Sequence, residues 1–589
     1  MQTCDFMRRY VSFILLLLCA TMSFALTIPA GTLYFDNSRT NYSTVRFVYG
    51  SETPAVSYVV TMTQDSNKWK VEIPQTVENM YRFTFVGGAL DEGTYEQKFS
   101  DFKEYISKTL NMNRTATSEV QMNAGDIFVP ESGDNWAQGS WMSLSAWEAS
   151  QSTVEPSASI SGTLPVVYIN TTNNTAITSK ETYITGSLYI DPLTTGYPAL
   201  GTKAAPVTGQ FKGRGNYTWK DFDKKPYKIK FDSKQSVLGM PKDKHWCLLA
   251  HADDDLGFLR NMTGFLLSEQ LGMKWTPRFV PVELVLNGQY WGLYFLTEHV
   301  RIAGNRVKIT EQEDYATDSV TGGWLVEIDN YQENGNIEFD EPNGERVMIT
   351  SKEPELLSAQ QRNYIETQMH TLNDAIYGSS AAQLWNMLDL DEAAKFYLVQ
   401  EIMEDCESYH GSCFLYKDRD RNGRKAKWFF GPVWDFGNAY IRHQDTWIYD
   451  NPIFSQHWVG QLAQWPEFNK KVREYWYIFY HNYRNTTRSA IGEFAAKITQ
   501  AAKNDAVRWR GTSRYCDNSN MTKRQSEFLS RFNWRINWLY NKWGVGIEPT
   551  EESVELVPTN MPTRKVLRNG QLLIEYEGKT YNILGQSVQ

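Results

Sequence analysis

The period of the apolar residues changes along this chain. Before about residue 300 they come in short β-branched and aromatic runs: Leu33-Tyr34-Phe35, Val45-Arg46-Phe47-Val48-Tyr49, Tyr58-Val59-Val60 and Trp69-Lys70-Val71-Glu72-Ile73. Turn residues such as Asp36-Asn37-Ser38 and Gly87-Gly88 separate them, the pattern of short strands in a sandwich. Beyond residue 360 the spacing becomes helical. Ile365, Met369, Leu372 and Ile376 share one helix face, and Asp389 or Asp391 is placed to cap a second helix through Tyr397, Leu398 and Ile402. Further helices are expected over 467–480, 488–507 and 524–540. Strands first and helices later make an α+β chain.

At 589 residues, the chain exceeds what one core usually serves. A β-sandwich domain is expected over residues 26–150. A linker rich in Ser, Thr and Pro follows over 151–163, then a large domain over 164–545 that opens with the buried-strand run Leu164-Pro-Val-Val-Tyr-Ile169. A small β module over 546–589 is signalled by Arg568-Asn569-Gly570-Gln571 and Glu577-Gly578-Lys579, two hairpin turns. Residues 1–25 read as a signal peptide, with Arg8-Arg9, the apolar run Val11–Leu18 and Ser23-Phe24-Ala25. The protein is therefore expected to be secreted or held at a bacterial cell surface, without a transmembrane segment. The net charge of −9 argues against bulk nucleic-acid binding. Of six cysteines, Cys247, Cys406, Cys413 and Cys516 follow the leader. An oxidising compartment permits disulfides, and a Cys406–Cys413 bridge is one expectation.

An ordered series of motifs occupies the large domain: Gly213-Arg-Gly-Asn216, Lys224-Lys-Pro-Tyr-Lys-Ile-Lys-Phe231, Leu238-Gly-Met-Pro241, Leu259-Arg-Asn261, Val285-Leu-Asn-Gly288, Gly292-Leu-Tyr294, Leu296-Thr-Glu298, Leu415-Tyr-Lys-Asp418 and Gly431-Pro-Val-Trp-Asp-Phe-Gly437. This order resembles the CotH-type (spore coat protein H) family of atypical protein kinases. The resemblance implies a reduced, two-lobed kinase-like fold that uses ATP and Mg²⁺ or Mn²⁺ to phosphorylate Ser or Thr hydroxyls. Such a reaction needs cations near the phosphates, oxygen ligands for the metal and a carboxylate for the hydroxyl proton. Gly213, Arg214 and Gly215 resemble a phosphate-approaching loop. Among Lys224, Lys225, Lys228 and Lys230, the phosphate contact is expected at Lys228, with Lys225 second. Glu298 falls in the same nucleotide-side set. Asp435, in the Trp-Asp segment, is expected to bind the metal, with Asn438 nearby. Arg260-Asn261 is a signature either of the site or of the packing between lobes.

The catalytic stretch departs from the family pattern, roughly Asn-x-Asp-x-x-x-x-Asn-x-x-Leu-Tyr. Here Asp405, Glu407 and Ser412 stand at the three polar positions. Glu407 would accept the proton, and Asp405 and Ser412 would join Asp435 at the metal. The extra methylene of Glu407 matters, because a displacement of about 1 Å costs on the order of a hundredfold in rate. His410 is read as a packing residue, and Asp253-Asp254-Asp255 as a solvated loop. Two functions follow. One is an exported Ser/Thr kinase acting on secreted or surface proteins. The alternative is a non-catalytic surface protein on a degenerate kinase scaffold, binding protein or glycan. Its aromatic platform would come from Tyr34, Trp69, Tyr81, Phe83, Trp136 and Trp141 of the N-terminal domain. The C-terminal module resembles sorting tails of type IX secretion.

Overall fold

The computed structural model describes residues 26–39, 42–52, 55–66, 68–80, 82–87, 93–95, 122–130, 139–150, 157–329, 337–441, 445–549, 563–568, 571–576, 579–582 and 587–588. The expected leader, the first half of the expected linker, Tyr81 and Trp136 lie outside them. The chain divides into two units, Met1–Gln151 and Ser152–Gln589.

The first unit carries β1 (Leu26–Ile28), β2 (Gly31–Phe35), β3 (Val45–Glu52), β4 (Ala55–Thr61), β5 (Thr63–Asp65), β6 (Lys68–Ile73), β7 (Val77–Met80), β8 (Arg82–Gly87), β9 (Gly93–Tyr95), β10 (Asp126–Pro130) and β11 (Gly139–Ser143), then helix α1 (Leu144–Ser150). One sheet runs β11-β10-β2-β6-β5, another β8-β3-β4-β9, and β1 pairs with β7. Alternation on β6 buries Val71 and Ile73 and exposes Lys70 and Glu72. Phe35 of one sheet meets Phe85 of the other at 4.7 Å, and Phe128 lies 4.9 Å from Phe85. Phe83 and Trp141 belong to this core, at 2% and 6% exposure. They are therefore removed from any ring platform: apolar burial takes them before a ligand could. Trp69 is half-buried against the same core, and Tyr34 against a smaller cluster of Ile127, Val129, Met142 and Trp147.

The second unit begins with β12 (Val166–Thr171), β13 (Ile184–Asp191), β14 (Val207–Gly213), β15 (Tyr227–Val237), β16 (Met240–Leu249), β17 (Phe279–Leu286) and β18 (Gln289–Glu298). These close into a barrel in the order β12-β13-β14-β15-β16-β18-β17, the parallel β12–β17 pair making the seam. Short helices α2 (Tyr217–Asp221) and α3 (Arg260–Gln270) interrupt the strands. Tyr227, Ile229 and Phe231 of β15 fill the barrel; Lys228 and Lys230 alternate onto its other face.

A second sheet follows, built from β19 (Trp324–Ile328), β20 (Ile337–Asp340), β21 (Arg346–Glu353), β22 (Cys413–Lys417) and β23 (Trp428–Phe430), in the order β20-β21-β19-β22-β23. Its companions are α4 (Ala359–Tyr377), α5 (Ala381–Met387), α6 (Leu390–Met403), α7 (Val459–Leu462), α8 (Pro466–Ile478), α9 (Arg484–Trp509) and α10 (Met521–Trp543). Local chemistry sets their ends. Ser358 and Gln361 form a capping box on α4, whose Ile365, Met369, Leu372 and Ile376 are all fully buried. Asp389, not Asp391, caps α6 by accepting from the Glu392 amide at 3.0 Å. Every residue of α6 from Glu392 to Met403 is buried, so this helix is the axis of the larger core. At the C-terminus, β24 (Thr563–Arg568), β25 (Gln571–Tyr576), β26 (Lys579–Asn582) and β27 (Ser587–Val588) form an antiparallel sheet. Arg568 pairs with Gln571 and Tyr576 with Lys579, the residues that flank the two expected turns.

Residues 157–161, expected as linker, are held down. The Ser157 amide and Ser159 carbonyl bond Asn504 of α9, and Ser161 donates to Glu283 of β17. The barrel also locks onto α9 through a buried ion pair, Lys224 Nζ to Asp505 Oδ1 at 2.7 Å, with both side chains under 10% exposed. Asp505 also accepts from the Leu293 amide at 2.8 Å. Gly292 beside it must be glycine: its φ is +110°, and a Cβ would stand 2.1 Å from Asp505 Oδ1. Lys224 is thereby committed to structure and unavailable for a phosphate. Asp505→Ala leaves a buried unpaired ammonium and is expected to cost about 3–5 kcal/mol, read by urea unfolding of the full chain.

Candidate functional site

The loop Gly431–Ala439 leaves β23 and carries Asp435 with φ +55°, a left-handed conformation that costs a non-glycine residue energy. Its neighbours hold it there. Phe436 is fully buried against Gly264 of α3, where a Cβ would come within 2.1 Å of the ring. The Phe436 amide donates to Asn261 Oδ1 at 2.6 Å. Arg260 Nε donates to the Ala439 carbonyl at 2.7 Å, while its two terminal nitrogens bond Asp254 (2.9 Å) and Asp255 (2.7 Å). The Arg260-Asn261 signature is thus the clamp on the Asp435 loop. It also corrects the reading of Asp253-Asp254-Asp255. Asp254 is 2% exposed and consumed by Arg260, because a buried guanidinium demands carboxylates.

Asp253 is the residue that sequence reasoning missed. A methyl group on Gly437 would sit 3.2 Å from Asp435 Oδ1 and 3.3 Å from Asp253 Oδ2, so both carboxylates border one point. Burial and then the Asp435 charge push Asp253 up to about 7. Asp405 is 1% exposed. Burial, then Glu407 and Asp435, hold its carboxyl well above the ordinary range, and its Oδ2 has no hydrogen-bond partner. Glu407 is oriented by the Asn438 side-chain amide, which donates to its Oε2. Ser412 has φ +52° and no hydrogen bond to these carboxylates. Of the expected trio, Asp405 and Asp435 share a field, and Asp253 and Glu407 share it with them.

Among the described residues no three His, Cys, Asp or Glu side chains surround one point as an all-protein metal cage. The fit is of another kind. Mg²⁺ is commonly held by one or two carboxylates plus substrate phosphates and water. Asp435 and Asp253 would supply two, and the buried Asp405, whose Oδ2 has no hydrogen-bond partner, shares their field.

Arg214 connects this acidic group to a basic wall. Its guanidinium lies 5.5 Å from the Trp434 ring centroid, one residue from Asp435. Gly213 is required before it, since a Cβ would meet the Trp219 ring at 2.3 Å; Gly215 follows with φ +76°. The register pairs Lys212 with Lys228 and Lys228 with Cys247 on the outer barrel face. Burial lowers Lys228, and the charges of Lys212 and Arg214 lower it further. Burial and the Lys224 and Arg214 charges hold His251 neutral, down to about 3. Lys225 turns away and donates to the Trp219 carbonyl at 2.6 Å. Glu298 is fully buried and bonds Arg278 at 2.9 Å, which makes it a brace at the barrel end rather than part of the nucleotide set.

The cysteine expectation is also corrected. Cys247, Cys406, Cys413 and Cys516 are free thiols. Cys406 Sγ faces the Asn438 carbonyl at 3.7 Å, whereas Cys413 lies in β22 opposite Ile328. His410 packs on Phe454 and His457, with centroids at 5.1 and 5.9 Å, as a packing residue would.

Two outcomes are expected. Gly264→Ala should destabilise by roughly 1–3 kcal/mol through overpacking on Phe436, measured by chemical unfolding, and should also reduce any activity that uses Asp435. Glu353, close to Arg301 and Lys228, is pushed up to about 7, chiefly by burial. Its folded pKa exceeds its unfolded one, so the folded state binds the extra proton and stability falls as pH rises from about 4.5 to about 7. Glu353→Gln should remove that slope and gain roughly 1–2 kcal/mol at pH 8, discounted for partial exposure.

A search of curated proteins finds no match. The family profile described as CotH kinase protein matches residues 211–537. That span holds Arg214, Lys228, the Arg260-Asn261 clamp and all four carboxylates, and on it the chain belongs to the CotH kinase protein family.

Proposed function

We propose that this chain is a working protein kinase that transfers a phosphoryl group from ATP, with Mg²⁺ or Mn²⁺, to Ser or Thr hydroxyls of secreted or surface proteins. One observation carries the reading: a basic wall of Arg214 and Lys228 adjoins, across Trp434, a set of carboxylates too crowded to be comfortable without a cation. Phosphoryl transfer is mostly positioning and charge neutralisation, and both halves are supplied. Lys228 and Arg214 would take the phosphates. Asp435 and Asp253 would hold the metal, which neutralises phosphate charge when bound. Glu407, steadied by Asn438, would accept the hydroxyl proton as the oxygen attacks the γ-phosphorus and ADP leaves. The barrel and the helical part would then be the two lobes.

Export rests on the apolar leader, and the C-terminal hairpins support a sorting role of the type IX kind. Among the described residues no helix is long and apolar enough to cross a membrane. The N-terminal unit is read as a β-sandwich whose rings mostly serve its own core; a glycan would be left with Tyr34 and Trp69.

The test is ³²P transfer from labelled ATP to the chain itself or to a Ser-rich acceptor. Asp435→Ala and Glu407→Gln should each lower the rate by at least about a hundredfold. Mn²⁺ with nucleotide should raise the melting temperature of the parent chain but not of Asp435→Ala. Absence of both transfer and the thermal shift in the parent chain would favour the degenerate-scaffold reading instead.

A further inference from the structure

The connection between β22 and β23 reads Asp418-Arg-Asp-Arg-Asn-Gly-Arg-Lys-Ala-Lys427. It walls a cavity of about 920 Å³ whose other sides come from Lys308, after the barrel, and from Lys274 and Trp275, after α3. Eight of its sixteen lining residues are Lys or Arg, and one is acidic, in a chain whose net charge is −9. That acid, Asp418, is already engaged: its Oδ1 accepts from the Thr310 and Arg419 amides at 2.9 and 2.8 Å, and its Oδ2 lies 3.4 Å from Arg421. Lys308, Arg419, Arg424, Lys425 and Lys427 have no ion-pair partner among the described residues. The floor is apolar, with Tyr416 and Phe429 stacked at 5.2 Å. None of Arg214, Lys228, Asp253, Asp405, Glu407 or Asp435 lines the cavity.

We propose that this cavity binds a compact polyanion rich in phosphate groups. Like charges gathered without counter-charges repel one another, and a bound polyanion would relieve that. A carboxylate brings one negative charge with the bulk of a whole residue, whereas a phosphoryl group brings about −1.5 to −2. The planar fork of Arg424 matches phosphate oxygens in pairs, whereas Arg421 already bonds Thr310 and Asp418 and Arg419 the Glu311 carbonyl. The volume lies in the range of small-molecule sites, about 300–1,000 Å³, too little for a folded partner. The assignment is independent of whether the carboxylate site transfers phosphate.

The test is calorimetric titration of the full chain with tripolyphosphate and with inositol hexakisphosphate, in EDTA so that metal-dependent binding at Asp435 is silent. Binding is expected for at least one of the two. The Lys425→Glu/Lys427→Glu variant, altered on the connection, should weaken it at least about tenfold, and Lys308→Glu on the opposite wall should weaken it too. Asp435→Ala should bind as the parent does. Unchanged circular dichroism and melting temperature will show that each charge reversal has left the fold intact. The proposal is overturned if the parent chain binds neither phosphate compound, or if both charge reversals bind within about twofold of it. It is equally overturned if a poly-Asp/Glu peptide or a heparin fragment binds as tightly as the phosphates.

Discussion

The Arg260 guanidinium is the contact around which the Asp435 loop and the carboxylates beside it are arranged. It spends its donors on Asp254, Asp255 and the Ala439 carbonyl, and the adjacent Asn261 takes the Phe436 amide. One turn of α3 therefore fixes the Asp435 loop from Phe436 to Ala439, and Phe436 packs on Gly264 beside it. A buried guanidinium with every partner in place is strongly directional, and removing any one partner strands a charge. The left-handed backbone at Asp435 persists because its neighbours leave it no alternative.

Electrostatics then sorts the site into two parts. Lys228 and Arg214 stand on the barrel side, where burial and the neighbouring Lys212 and Arg214 charges lower Lys228. Asp253, Asp405, Glu407 and Asp435 stand together with too little positive charge. Each part destabilises itself, and a metal–nucleotide complex carries the opposite charges in the right order to relieve both. In this light the departures from the family pattern at Glu407 and Ser412 are changes of supply. Ser412 brings no charge, and Asp253 brings one from a different segment.

Much of the architecture could be read in advance, because its causes are local. The helical spacing of Ile365, Met369, Leu372 and Ile376 foretells the buried face of α4. The turn signals Asn569-Gly570 and Glu577-Gly578 in the sequence foretell the pairing of β24 with β25 and of β25 with β26. The period-2 pattern of β15 foretells that Lys228 and Lys230 share a face. A cap at Asp389 or Asp391 needs only its own side chain and the next turn, and the structure chooses Asp389. Closure of the barrel was not legible, since the parallel β12–β17 seam joins strands more than a hundred residues apart.

The linear order of residues settled the family, the α+β class, and Asp435 with Arg260-Asn261 as marked positions, all properties carried by short stretches of chain. Which charges meet was settled in three dimensions. Lys224 is taken by Asp505, Lys225 by a carbonyl and Glu298 by Arg278, while the unremarkable Asp253 reaches the space beside Asp435. Cys406 and Cys413, seven positions apart, point to different neighbours and stay free thiols. A charge or a thiol acts through whatever lies within a few ångströms, and in a folded chain that neighbourhood is drawn from segments that no local pattern connects.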